Sequence, residues 1–464
     1  MQDLPALREN AVSAAVIRIP PTVEMLLHRL SAAGFAAYAV GGCVRDSLLG
    51  LQPQDWDICT SARPEQTAEC FAAERTILTG AKYGTVTVLA ANTPFEITTF
   101  RAESTYTDRR HPDAVSFLTE LRGDLSRRDF TVNAMAAAAG GAVIDLFGGQ
   151  EDLQNRLIRC VGAPRERFSE DVLRILRGLR FASRLDFAVE RETAAAIHEC
   201  REMLSGAAPE RLHKELSGLL CGRGVFRVLC EYPDVLCVLI PELRRTVGFR
   251  QYHYNHAYDV YTHTAAVTAA VEPEERLRLA ALLHDIAKPN EFFFDKNLVG
   301  HFYGHAVAGA AEAERRLRRL RYDGGTVSAV AALVRAHDLD LSAMTERQMR
   351  RLLAKHGEEQ TRALLRLRRA DRLGKGTEPP SAPEEEAVRA EALLSRLVEG
   401  QACVRLPQMA ISGRDLLALG VPQGPRIGAL LETILQAVLE EKLLNEREAL
   451  VEYAQGLIDK TKND

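Results

Sequence analysis

Between residues 36 and 60 the chain reads as strand, turn, helix and strand, and this unit restricts the fold more than any other feature of the sequence. Ala36 to Val40 is an apolar run of strand length that stops at Gly41-Gly42, Asp46 to Leu51 suits a helical connection, and Trp56 to Cys59 returns as a second strand. Side chains missing at a Gly-Gly turn let backbone N–H groups come close to phosphate oxygens. Around the second strand stand Asp55 and Asp57. Residues i and i+2 of a strand share a face, so the two carboxylates would lie side by side with Trp56 turned away. That is a cradle for a divalent metal, although Asp-x-Asp pairs in loops often only bond nearby backbone N–H groups.

Further along, Pro94 to Arg101 alternates polar and apolar residues, which suits a strand presenting Glu96 as a third carboxylate. Three carboxylates beside a phosphate-binding turn can hold two metals and point to phosphoryl transfer. Arg127-Arg128-Asp129-Phe130-Thr131-Val132-Asn133 begins polar and turns apolar, like a loop entering a buried helix whose polar end meets a ligand. The plainer alternative is a capped helix with solvated arginines. In Glu170 to Arg180, Asp171, Arg174 and Arg177 follow at steps of i+3 and would form one helix ridge. An ion-paired solvated face gives the same pattern; alternatively, an Asp/Arg pair offers acceptors and a planar donor fork suited to the edge of a nucleobase.

At 464 residues the chain is too long for one core, and three or four domains are expected. Strand-like stretches (36–40, 56–60, 84–90, 94–100, 142–146) mix with short helices up to about residue 150, after which helical periodicity takes over, including Ser169 to Ser183 and Pro209 to Cys221. The resulting division is an N-terminal extension (1–21), an α+β head (22–154), a helical neck and body (155–247), a histidine-rich helical region (248–375), a solvated linker (376–386) and a helical tail (387–464). Pro379, Pro380, Pro383 and the run Glu384 to Glu386 mark the linker, and the Gly/Pro-rich stretch Leu419 to Pro425 interrupts the tail. No apolar run reaches the roughly 18 residues of a membrane span, and the N-terminus lacks the order of an export signal, so no membrane and a cytoplasmic location are expected. Nine cysteines without a Cys-x-x-Cys pair indicate neither a disulfide framework nor a thiolate zinc site. A net charge of −4 confines any nucleic-acid surface to a local patch, and residues 156 to 184 supply one, with eight arginines against three acids.

Seven of the twelve histidines (253, 256, 263, 284, 301, 305, 337) lie between residues 253 and 337. His284-Asp285 follows the apolar helix Leu277 to Leu283, with His263 upstream and Asp371 far downstream. Imidazole and carboxylate donors together suit manganese, iron, nickel or magnesium. A lone histidine is more often a satisfied core or surface residue.

The motifs Gly41-Gly42-Cys-Val-Arg45-Asp46, Asp55-Trp-Asp57, Glu96 to Arg101, Asp108 to Asp113, Arg127 to Asn133 and Glu170-Asp171-x-x-Arg174-x-x-Arg177 resemble, in this order, those of class II tRNA nucleotidyltransferases, the family of bacterial CCA-adding enzymes and poly(A) polymerases. The resemblance is dense over about residues 25 to 220. It implies a multidomain α+β fold: a nucleotidyltransferase palm, a mixed sheet with helices, followed by all-α neck and body, HD and tail domains. It implies an enzyme that uses CTP and ATP in turn to build the CCA end of tRNA without a nucleic-acid template. Asp55, Asp57 and Glu96 would be catalytic, the two aspartates holding Mg2+. Gly41, Gly42, Arg45, Arg128, Asp129, Asn133, Asp171, Arg174, Arg177 and Arg180 would line the nucleotide, with Asp171 and Arg174 reading base edges. Asp108, Arg110 and Asp113 match a flexible element that helps switch between C and A addition.

The set His263, His284, Asp285 and Asp371 resembles an HD-type metal phosphohydrolase domain, with His305 and His337 able to supply a second metal, and Mn, Ni or Fe as the expected ion. Hydrolysis of phosphomonoesters or 2′,3′-cyclic phosphates is implied, which would suit repair of damaged tRNA ends. Ile411 to Gly428 also recurs in nucleotidyltransferases that carry an HD domain; its Gly/Pro turn leads into a helix that could grip a phosphate or simply pack. Poly(A) polymerases share every head motif and are the nearest rival, followed by an A-adding specialist, while Asp108 to Asp113 lean against a CC-only form. A hydrolase whose head merely binds RNA is disfavoured by the intact carboxylates. No sequence feature sets the oligomeric state.

Overall fold

A computed structural model describes residues 12–103, 115–253, 256–377, 379 and 381–463. The chain divides into two compact units, one up to Arg244 and one from Arg245 onward.

The first unit is built on an eight-stranded sheet of β1 (Val12–Val16), β2 (Ala37–Val40), β3 (Asp57–Thr60), β4 (Arg75–Ile77), β5 (Thr85–Ala90), β6 (Thr93–Thr99), β9 (Met135–Ala137) and β10 (Ala142–Asp145), in the order β1-β10-β9-β2-β3-β6-β5-β4. The strands β7 (Arg101–Glu103) and β8 (Val115–Phe117) form a separate ribbon. All neighbours in the large sheet run antiparallel except β3 and β6. Alternation sets the faces: Val86, Val88 and Ala90 of β5 and Phe95, Ile97 and Thr99 of β6 point into the core, so Glu96 points out. In the parallel pair Ile58 aligns with Ile97, which places Asp57 and Glu96, one residue earlier, beside each other on the open face. The helix Pro21–Ala32 buries Val23, Leu26, Leu27 and Leu30, one stripe at helical spacing. Each such side chain contributes roughly 1.5–3 kcal/mol of burial.

Three expectations change here. The helix after the Gly-Gly turn spans Gly42–Leu48 instead of starting at Asp46, because Gly41 itself makes the turn at φ 84°, leaving Gly42 free to open the helix. The apolar run after Arg128 is a single-turn 3-10 helix, Thr131–Asn133, followed by the central strand β9, not a buried helix. Periodicity cannot separate the two in a short apolar run that is buried on both faces. Asp171 does not share a helical ridge with Arg174 and Arg177: it sits with extended backbone (φ −137°) between the helices Pro164–Glu170 and Leu173–Leu185. Gly178 lets the second of these helices close on the palm, since a Cβ there would meet Phe130 at 2.9 Å.

In the second unit the helices Val260–Ala270, Glu275–Leu283, His305–Arg319, Gly324–Ala336 and Glu346–Gly374 pack together, with a small hairpin of Phe293–Phe294 and Gly300–His301 between the second and third. The expected solvated linker is largely helix: Ser381–Glu399 begins there. Its acids are not a free charge run, because Glu384 accepts from Arg369 at 2.6 and 2.5 Å and Glu386 pairs with Arg372. The tail helices Gly413–Ala418, Pro425–Leu439 and Arg447–Asn463 share a core of Leu416, Ile434, Leu450 and Ala454, and the Gly/Pro turn separates the first two. Among the described residues no helix is long and apolar enough to cross a membrane.

Candidate active sites

The palm site grows from the Gly41 turn. Gly41 donates its N–H to the Met135 carbonyl at 3.1 Å, and a Cβ on it would lie 3.0 Å from Arg128 Nη1. Arg45, one turn into the helix, is buried; its Nε and Nη2 reach Asp46 Oδ1 at 2.8 and 2.7 Å and its Nη1 donates to Asn133 Oδ1. Asn133 Nδ2 donates to Asp129 Oδ1 at 3.4 Å, and Asp129 Oδ2 accepts a two-pronged bond from Arg177 at 2.9 and 2.7 Å. Arg177 Nη1 lies 4.0 Å from Glu215, and Arg180 Nε pairs with the same carboxylate at 2.9 Å. A continuous polar chain thus runs from the Gly-Gly helix to the arginine-bearing helix. Burial alone would raise the Asp129 carboxyl, but Arg177 outweighs it and holds it below the usual range.

The carboxylates sit on the open face. Asp57 opens β3 and Glu96 lies beside it on β6, while Asp55 precedes the strand and all three are exposed. Although Asp57 is exposed as a residue, the protein around its carboxyl removes part of its solvent, and this, then the charges of Glu96 and Asp55, holds it above its ordinary range against the pull of Arg128. Arg128 is anchored at 3.1 Å to Asp124, which is fully buried and also binds Arg127 at 2.7 Å. Burial pushes Asp124 up, and the two arginines more than reverse it. Mutual repulsion of three hard oxygen donors is relieved by a divalent cation, so the set fits one. Among the described residues, tightly gathered groups of three metal-type donors occur only in the second unit.

In the expected base-reading pair the Arg174 N–H donates to the Asp171 carbonyl at 3.0 Å, but the two side chains bind different partners. Asp171 caps the Leu173 N–H at 3.1 Å and pairs with Arg211 at 2.9 Å. Arg174 binds Glu170 at 2.6 Å and the carbonyls of Arg167 and Arg127 at 3.2 and 2.9 Å. Arg211, Glu215 and Asp124 are supporting residues that sequence reasoning missed, while Glu170 and Asp46 stand in its motifs without a role. Asp124 is four residues before Arg128, a spacing that could have flagged it, whereas Arg211 and Glu215 are joined to the site only by tertiary folding. Asp108, Arg110 and Asp113 lie outside the described residues.

In the second unit His263, His284, Asp285, His305, His337 and Asp371 converge, each at 0 to 8% exposure. His263, His284 and Asp285 form one donor group and Asp285, His305 and His337 another. Asp285 bridges them: Oδ2 lies 3.4 and 3.1 Å from Nε2 of His263 and His284, and Oδ1 lies 3.5 and 3.6 Å from Nε2 of His305 and His337. Asp371 joins the first group 3.0 Å from His263. Nδ1–H groups of His284, His305 and His337 donate to the carbonyls of Ala281, Phe302 and Val334 at 2.8, 2.7 and 2.7 Å, which turns each Nε2 inward. Lys288 Nζ stands 2.7 Å from Asp285 Oδ2 and pairs with it. Burial would raise Asp285, yet His284 and Lys288 hold it well below the carboxylate range. Inward-facing Nε2 atoms around a shared carboxylate are the donor set that a pair of divalent ions requires. Lys288 was missed, although its place three residues after Asp285 marks it on the same helical side.

Comparison with known proteins agrees region by region. Residues 37–159 match the poly A polymerase head domain, 186–244 match the probable RNA and SrmB-binding site of polymerase A, and 253–375 match the HD domain. A CCA-adding enzyme of Levilactobacillus brevis is 36% identical over 445 residues, covering 93% of this chain and 98% of that one. One from Enterococcus faecalis is 35% identical over 92% of this chain and 94% of its own length. The Bacillus stearothermophilus CCA-adding enzyme crystallised with CTP superposes with a TM-score of 0.70 at 29% identity, over 96% of this chain and 100% of that one. On these full-length likenesses, with the palm carboxylates and the HD cluster both in place, the chain belongs to the family of CCA-adding enzymes.

Proposed function

We propose that this chain completes the 3′ end of tRNA by adding C, C and A from CTP and ATP, with Asp55, Asp57 and Glu96 holding Mg2+ at the palm. The observation that carries the reading is the registry of β3 and β6, which sets Asp57 beside Glu96 on the open face next to the Gly41 turn. When bound, magnesium supplies positive charge against the triphosphate and lowers the cost of ionising the attacking hydroxyl. The RNA 3′-oxygen bonds to the α-phosphorus of the nucleotide, the bond to the β-phosphate breaks, and pyrophosphate leaves. Arg45 and Arg128 stand beside the Gly-Gly turn as the cations for the triphosphate. Arg177 and Arg180 continue the cationic edge along the helix. Base choice falls to Asp171 and Arg174. For those two to meet a base edge, Arg174 must give up Glu170 and a bond to a backbone carbonyl, and Asp171 must give up Arg211.

Asp55→Ala and Asp57→Ala, assayed with a tRNA transcript lacking CCA, are expected to abolish incorporation of labelled CTP while leaving the fold unchanged by circular dichroism. Incorporation at the wild-type rate by either variant would remove the palm assignment.

A second activity is favoured by the HD cluster, whose inward Nε2 atoms and bridging Asp285 are complete. The reading is a phosphohydrolase for phosphomonoesters or 2′,3′-cyclic phosphates, charged with Mn, Ni or Fe, acting on damaged RNA ends. Loss of such hydrolysis in His284→Ala supports it; no hydrolysis by wild-type protein supplied with manganese or nickel makes the cluster structural.

A further inference from the structure

The hairpin beside the HD cluster exposes more aromatic surface than a packing element needs. Phe293 and His301 pair across it, and their rings stack at 5.6 Å. Tyr303 stacks on His301 at 5.3 Å and lies 5.5 Å from Phe293, which closes a cluster of three rings. Tyr303 is 74% and Phe293 43% exposed, so large ring faces remain open to solvent. His301 is fixed from below by Asp295 at 3.1 Å, and the strand carrying it is pinned where Gly300 N–H donates to the Tyr252 carbonyl at 2.9 Å.

The cluster is joined to the metal-type site by the shortest of routes. Tyr303 stands two residues before the ligand His305, and the intervening Phe302 supplies the carbonyl that orients the His305 ring. Lys288 sits 5.2 Å from the Phe302 ring centroid while its ammonium meets Asp285 at 2.7 Å. One end of this region is therefore a cationic and metal-type centre suited to a phosphate, and the adjoining end is a set of open ring faces. A phosphate attached to a planar, polarisable group has the matching two-part chemistry. Nucleobases stack on aromatic side chains whatever their identity, because each has a π face.

We propose that Phe293, His301 and Tyr303 form a base-stacking platform for the HD centre, so that the ester hydrolysed there is borne by the terminal nucleotide of a single-stranded RNA end. The proposal rests on the hydrolase reading of that centre. In the reaction on a 2′,3′-cyclic phosphate, the oxygen of water bonds to phosphorus, one ribose P–O bond breaks, and the released ribose oxygen takes the proton. No reagent other than water is consumed. The platform would hold the last base while the phosphate lies among the histidines.

The test uses the full chain supplied with manganese and two esters with the same five-membered reacting ring, adenosine 2′,3′-cyclic phosphate and glycerol 1,2-cyclic phosphate. Wild-type protein is expected to prefer the adenosine ester. Tyr303→Ala and Phe293→Ala should each cut that preference about tenfold, chiefly through KM, as loss of one stacking contact does. Tyr303→Phe, which keeps the ring, should retain the preference, as should Leu298→Ala on the exposed turn of the same hairpin. Equal hydrolysis of both esters by wild type, or an unchanged preference in both alanine variants, overturns the platform. If wild type cleaves neither ester, the hydrolase reading fails on its own. The platform is then judged by fluorescence quenching of 2-aminopurine riboside 3′-phosphate: quenching weakened in Tyr303→Ala upholds it, and identical quenching in the two proteins removes it.

Discussion

The two sites solve the problem of gathering negative charge in opposite ways. In the palm, Asp55, Asp57 and Glu96 stand exposed on a sheet face. In the HD cluster the six donors are buried, three of the histidines are already aimed by carbonyl hydrogen bonds, and Asp285 is shared between two donor groups. The difference follows from what each site must admit. A magnesium ion keeps waters and is bound through one or two carboxylates plus substrate phosphates, so under the proposed function an open palm would be completed only when the triphosphate arrives. Imidazoles around a buried carboxylate suit a resident transition ion and a small phosphate group.

The largest effect that could break this comparison is chemical. Glu96→Ala should lower nucleotide addition at least about 10³-fold, as expected for a group that acts with others on the transferred phosphoryl, while ester hydrolysis at the HD centre stays within twofold, or roughly that. A matching loss at both sites would show that they are not independent. Asp285→Asn should do the reverse: both donor groups lose their shared anion, so the transition metal retained after dialysis, measured by plasma emission, should fall to background while CCA addition persists. Retention of metal by that variant would break the picture of a bridging carboxylate.

Smaller effects sharpen the contrast within the palm. Asp129→Ala removes the partner of Arg177 and the acceptor of Asn133, and should destabilise the protein by about 3 kcal/mol in urea unfolding while raising KM for both nucleotides. The acid limb of stability follows from the same residues. Asp124 and Asp129 have folded pKa values lowered below their unfolded ones, so their stabilisation is complete above the unfolded carboxylate range and is lost as pH falls from there through the lowered folded values. The thermal midpoint should therefore drop on acidification below about pH 4, and less so in Asp129→Asn. Asp57 has the opposite sign: its raised folded pKa means the ionised carboxylate costs stability at neutral pH. Asp57→Asn should raise the midpoint of the unliganded protein slightly while abolishing addition, and a lowered midpoint would contradict the repulsion described here.

Much of the palm could be read from sequence because its strands alternate. Val86, Val88, Ile97 and Thr99 mark the buried face without ambiguity, and with it the outward aim of Glu96. The HD cluster was readable for a different reason, since seven histidines cannot crowd one region by chance and His284-Asp285 sits at the end of an apolar helix. Where periodicity was the only guide it failed in identifiable ways. Met135 to Ala137 is buried on both faces, so its apolar run looked helical. Asp171 fits an i+3 ridge on paper, but its carboxylate caps the next helix, which is a competing use of a short acidic side chain. Glu384 and Glu386 looked like part of a solvated run because their partners Arg369 and Arg372 come from another helix. The pairing of Glu215 with Arg180, and of Arg211 with Asp171, carries no local signal at all.

The most direct test is extension of a tRNA transcript lacking CCA by the purified full chain with CTP, ATP and magnesium, resolved to single nucleotides. Growth by three nucleotides that then stops, with C accepted first and A last, is the predicted result. A tail of adenosines that continues, or no extension at all, would contradict it.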